Sequence, residues 1–86
     1  MYSILYKKSA EKELEKLPKS IRVVILKKIQ ALRGDPRPNG SVKLRGAEDL
    51  YRIRHTDYRI IYSFNDGELT IFVIKVAHRK DVYKDF

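Results

Sequence analysis

An α+β domain is the fold that this sequence of 86 residues predicts: a short N-terminal strand, then a helical hairpin packed on one face of a small antiparallel sheet. Three observations carry that expectation. Apolar residues recur with helical spacing in two stretches between Ala10 and Leu32. From Val42 onward the apolar period drops to two. Asn65-Asp66-Gly67 then marks a tight hairpin among the later strands.

Taken in order, Ser3 to Tyr6 (SILY) reads as a short strand. Ser9 is an N-cap candidate, with Glu11 and Glu13 early in the helix that follows, where negative charge suits the helix dipole. Ala10, Leu14 and Leu17 share one face of that helix, and Pro18 closes it. A second helix carries Ile21, Val24, Ile25, Ile29 and Leu32 as one apolar stripe. Gly34 is placed as its stop, and Asp35-Pro36 with Pro38-Asn39-Gly40 prevents continuation. Val42 to Leu44, Leu50 to Arg54 and Tyr58 to Asn65 follow as strands, with a loop at Gly46 to Asp49 and a turn at His55-Thr56-Asp57. The Asn-Asp-Gly turn leads into a strand from Leu69 to Ala77. There Leu69, Ile71 and Val73 alternate against Phe72, Ile74 and Val76. Apolar residues on both faces mark an inner strand. HRKDVYKDF is a polar tail, and no linker or repeat interrupts the chain, so residues 1–86 are expected to form one domain.

Charge narrows the function classes. Nineteen Lys and Arg stand against 11 Asp and Glu, a net charge of +8, which is the footprint of a nucleic-acid binder or of a protein with an acidic partner. No cysteine is present, which fits a reducing compartment and leaves no disulfide or thiolate-metal site. The N-terminal MYSILYKKSAEKE has no apolar core of a secretory signal, and no apolar run reaches the roughly 18 to 20 residues of a membrane span. A soluble cytoplasmic protein is the expectation.

Strand alternation sets the charges in place. Tyr51 and Ile53 share one face of their strand, and Arg52 and Arg54 share the other. With Tyr51, Ile53, Ile60, Tyr62 and Phe64 beneath the helices, Arg52, Arg54 and Arg59 lie on the uncovered face. If the two strands pair through the turn, Arg54 and Arg59 become neighbours. Like charges facing each other across strands are destabilising, and an anion between them removes that cost. A solvated strand face and a phosphate-binding face both fit this pattern. The lysines Lys12, Lys16, Lys19, Lys27 and Lys28 lie on polar helix faces, where solvation accounts for them.

Metal chemistry finds little support, because only His55 and His78 are available and no carboxylate cluster joins them at ligand spacing. No Gly-rich phosphate loop or Ser-His-Asp order stands out, and no cofactor is implied. Cleavage of RNA through its own 2′-hydroxyl asks for less. It needs a base, an acid for the departing 5′-oxygen, and positive charge around the crowded phosphorus. Arginines provide the charge but do not carry protons. His78 and Tyr83 are the tail's candidates for that task, and a surface histidine with a packing tyrosine is the structural reading of the same two residues.

KLRG (Lys43 to Gly46), YRIR (Tyr51 to Arg54), DYRIIY (Asp57 to Tyr62) and VAHRKDVY (Val76 to Tyr83), in this order, resemble the RelE/ParE toxin superfamily. The segment SAEKELEKLPKSIRVVILKKIQAL is similar to the helical hairpin of the same proteins, so the resemblance covers nearly the whole chain. Within the superfamily the RelE branch is the nearer one. Membership implies the toxin of a toxin–antitoxin module, neutralised by a cognate RelB-like antitoxin. It implies an endoribonuclease that enters the ribosomal A site and cleaves mRNA without a metal. Carried over by position, Arg59 and Arg79 match arginines that stabilise the transition-state phosphate. Tyr83 matches a tyrosine that stacks on a base and assists proton transfer. Arg52 and Arg54 fall where the best-known member has the lysines of a Y-K-I-K pattern, one of them the proposed general base, and His78 is the candidate to fill that role. Lys43 and Arg45 are expected to contact the RNA backbone. Two other readings stay open: a ParE-like protein that inhibits DNA gyrase without hydrolysis, and a non-catalytic RNA-binding domain.

Overall fold

A computed structural model of the chain describes residues 1–44, 46 and 49–82. Its elements are β1 (Ser3–Tyr6), α1 (Lys8–Glu15), α2 (Lys19–Ala31), β2 (Val42–Lys43), β3 (Tyr51–His55), β4 (Tyr58–Asn65) and β5 (Thr70–His78). The five strands form one sheet in the order β1-β5-β4-β3-β2. Beneath the helices Ala10, Leu14, Ile25, Ile29 and Leu32 meet Ile53, Ile60, Tyr62, Ile71, Val73 and Val76, with Tyr51, Tyr58 and Phe64 packed against the edge of this core. The face assignment read from alternation therefore holds for β3 and β4. No described helix is long and apolar enough to cross a membrane.

The sheet is mixed, not antiparallel throughout. β2 to β5 pair antiparallel, but β1 runs parallel to β5. Direction follows from parity. A helical hairpin returns the chain to the end of the sheet it left, so β2 reverses β1. Three further hairpin reversals then give β5 the direction of β1.

Local corrections have similar causes. α1 begins at Lys8 with Lys7, not Ser9, as the N-cap and no side-chain cap. The sheet decides this, since the Lys7 N–H is still bonded to the Val73 carbonyl at 2.8 Å. α2 ends at Ala31, and the N–H groups of Leu32, Arg33 and Gly34 bond the carbonyls three residues back at 3.0, 3.1 and 3.3 Å. Such tightening satisfies the last carbonyls without a left-handed glycine. In the β4–β5 turn, Leu69 takes the positive φ of 51° in place of Gly67, and it is exposed rather than a strand residue.

A bulge decides the faces of β5. Ile61 pairs with Lys75 while Tyr62 pairs with Val73, leaving Ile74 as the extra residue. Val76 thereby joins Val73 on the helix side, where strict alternation had put it opposite. β1 accompanies β5 only as far as Val73. Beyond that point α1 takes over the edge: Glu13 accepts the Val76 N–H at 3.1 Å, and its other carboxylate oxygen lies 3.7 Å from Lys75 Nζ.

Candidate active site

The site is built on the two-residue turn between β3 and β4. His55 and Tyr58 close the turn, and Arg54 stands directly opposite Arg59 in the next pair out. A tight two-residue hairpin makes the closing pair hydrogen-bonded, so the next pair is the non-bonded kind in which side chains come closest. The Arg54 carbonyl accordingly points away from β4 and accepts a bond from Lys28 Nζ at 3.2 Å. Across β4, Arg59 is opposite Ala77, whose methyl group leaves room beside the guanidinium.

Two guanidinium groups gather on the turn. Arg59 is half-buried, and its Nη1 donates to the carbonyls of Thr56 at 3.0 Å and Tyr58 at 3.1 Å. Arg79 follows β5; its N–H donates to the Asp57 carbonyl at 2.6 Å, and its Nε lies 3.6 Å from Asp57 Oδ1. Thr56 adopts a φ of 51°, an uncommon conformation for a β-branched residue. Three successive residues, 56 to 58, thus hold both cations. Arg54 is exposed beside them, and Arg52 is half-buried one pair further along the same face, opposite the fully buried Ile61.

His78 is not brought to this face. It pairs with Tyr58, and the two rings meet edge-on at 5.6 Å on the side of the sheet that bears the helices. The bulge at Ile74 is the reason, since it inverts the alternation of every β5 residue beyond it. His78 Nδ1 accepts the Lys80 N–H at 3.2 Å, which turns the ring toward its own tail. Lys43 is exposed but stands opposite Tyr51, again on the helix side, whereas Val42 shares the face of Arg52. Arg45 and Tyr83 lie outside the described residues. On the far side of β3 a cleft of about 320 Å³ is lined by Lys28, Ala31, Pro38, Gly40, Ile53 and Arg54. The arginines lie on the sheet face away from the helices, where Arg54 is exposed and Arg52 and Arg59 are half-buried.

A family model described as the ParE toxin of type II toxin–antitoxin systems matches residues 4–83. The mRNA interferase toxin RelE of Escherichia coli K12 is 34% identical over 88 aligned residues, covering 98% of this chain and 92% of that protein. The chain belongs to the RelE/ParE toxin family. Crystal structures agree. The isolated E. coli RelE toxin superposes with a TM-score of 0.81 at 32% identity, over 91% of this chain and 84% of that one. RelE in the archaeal RelE–RelB complex from Pyrococcus horikoshii OT3 gives 0.80 at 35% identity, over 91% and 94%.

Two residues of this RelE/ParE toxin escaped the sequence reading. Asp57 was legible only as a turn residue, although it contacts Arg79 through both main chain and side chain. Val82 is fully buried at the end of the turn after β5, where its N–H and that of Asp81 both bond the His78 carbonyl. A single aliphatic residue in an otherwise polar tail was the available signal.

Proposed function

We propose that this RelE/ParE toxin is an endoribonuclease that cleaves mRNA in the ribosomal A site and so halts translation. The observation that carries the reading is the convergence of Arg59 and Arg79 on one turn beside Arg54. In the reaction the 2′-oxygen attacks the adjacent phosphorus, the bond to the 5′-oxygen breaks, and a 2′,3′-cyclic phosphate remains. The proton leaves the 2′-hydroxyl and another is delivered to the 5′-oxygen, so no metal or cofactor is required. Arg59 and Arg79 stabilise the charge that accumulates on the phosphoryl oxygens, while Arg54 and Arg52 hold the RNA backbone, with Arg45 as a further contact. Arginine stays protonated and does not transfer protons. Proton movement falls to Tyr83 in the tail. On this reading His78, whose ring meets Tyr58 on the helix side, supports the tail's turn and does not serve as the base.

Residues 1–86 work as one toxin domain in the cytoplasm, where the ribosome and mRNA are. E. coli RelE and the P. horikoshii protein were crystallised with RelB antitoxins. A RelB-like antitoxin for this chain would bring carboxylates to the same cations.

The test is cleavage of a message on purified translating ribosomes. Arg59→Ala and Arg79→Ala should each slow cleavage by about 10² to 10³, the usual loss when one preorganised charge donor is removed from a transition state, with circular dichroism unchanged. Full activity in both variants would refute the site. The ParE description of the matching family model keeps one other outcome in view: intact mRNA together with inhibited gyrase supercoiling would transfer the protein to that reading.

A further inference from the structure

We propose that Asp57 is a positioning residue for Arg79, an inference that rests on the ribonuclease reading and extends it. Asp57 grips Arg79 at two points. Its carbonyl accepts the Arg79 N–H at 2.6 Å, and its Oδ1 lies 3.6 Å from Nε. The first contact ties the end of β5 to the β3–β4 turn, so the carboxylate stays beside the arginine. The second falls on the Nε edge of the guanidinium. Among the described residues neither Nη nitrogen makes a contact, and these are the pair that forms a fork on a phosphate.

The ion pair does not quench the cation. Its side chains are 59% and 57% exposed, and 3.6 Å is longer than a hydrogen bond, so solvent screens much of the attraction. What survives screening is direction. Arg59 is fixed by the same turn, through the carbonyls on either side of Asp57. Residues 56 to 58 therefore act as a jig: two main-chain carbonyls set one guanidinium, and one carboxylate sets the other at a fixed offset. The left-handed Thr56 is the local distortion that accompanies this arrangement, and such outliers persist where surrounding structure over-determines them.

The experiment is a double-mutant cycle on ribosome-bound mRNA cleavage, comparing the parent with Asp57→Ala, Arg79→Ala and the double variant. Asp57→Ala should lower kcat about tenfold with KM nearly unchanged, because misplacing a group that acts only in the transition state spares binding. In the Arg79→Ala background the same change should cost nothing further. Asp57→Asn, which keeps the oxygen and the shape but not the charge, should retain more activity than Asp57→Ala, and it provides the cycle should the alanine variant fold poorly. A full or raised rate in Asp57→Ala, a loss confined to KM, or losses at the two sites that simply multiply would overturn the proposal while leaving the ribonuclease reading intact. Full activity in Arg79→Ala would strike the ribonuclease site itself and take this inference with it.

Discussion

Tyr62 joins the core to the loop that follows α2, and its hydroxyl gives a two-part prediction. The residue has no exposed surface, and the hydroxyl donates to the Pro36 carbonyl at 2.6 Å. Pro36 is only half-buried, so in Tyr62→Phe water can reach the abandoned carbonyl. The same hydroxyl is hydrogen-bonded to the Ser41 side chain, so the loss at neutral pH should be the net worth of two hydrogen bonds, about 1 to 2 kcal/mol, or about 4 to 16 °C in Tm for a domain of this size. Burial pushes the Tyr62 hydroxyl up to about 12 from its ordinary 10.0, with the hydrogen bond to Ser41 pulling the other way. The folded state thus prefers the neutral phenol. That preference contributes fully below pH 10, and it is lost as the pH climbs through 12 because the unfolded chain ionises first. By pH 11 the parent should have given up about 1.4 kcal/mol that phenylalanine never had. Denaturant melts of both proteins at pH 7.5, 9, 10 and 11 should show the parent's advantage closing near pH 11 and reversing above it. Groups common to both chains cancel in the difference. A gap that does not vary with pH, or no gap at pH 7.5, would refute the reasoning.

Two further stability tests address the sheet. Glu13→Ala removes the acceptor of the Val76 N–H and the carboxylate beside Lys75; it should cost about 1 to 3 kcal/mol in denaturant melts, with Glu13→Gln recovering part by retaining an acceptor. Leu69→Asn should raise stability by about 0.5 kcal/mol, because Leu69 is 46% exposed at a φ of 51° that asparagine tolerates better; a lower Tm would count against strain at that position.

The sequence displayed those parts of the fold that local period controls. Two helices, the β3–β4 hairpin and the side of each residue in it were all legible, and so the pairing of Arg54 with Arg59 could be anticipated. Interactions between distant segments were not. The parallel pairing of β1 joins Ser3 to Thr70 across nearly the whole chain, and no dipeptide announces it. The same pairing holds Lys7 in the sheet and overrides Ser9 as a cap. The bulge at Ile74 was invisible because the strand is apolar on both faces, so a shift of one residue leaves the pattern equally hydrophobic. That one insertion moves His78 to the helix side, away from the arginines. Asp57 was obscured differently: an exposed ion pair leaves no trace in composition, and only the return of β5 to the turn reveals it.

The edges of the sheet bear on how such a protein can be stored. β2 protects β3 over two residues, and β1 abandons β5 at Val73, so main-chain groups on both sides are open to strand pairing with another molecule. A charged helix residue engages one main-chain group of matching polarity on each of these two strands: the Glu13 carboxylate takes the Val76 donor on β5, and the Lys28 ammonium covers the Arg54 acceptor on β3. A second copy approaching edge-on must displace an ion before it can form a ladder. Edge-to-edge pairing with another copy is thereby discouraged at these two points.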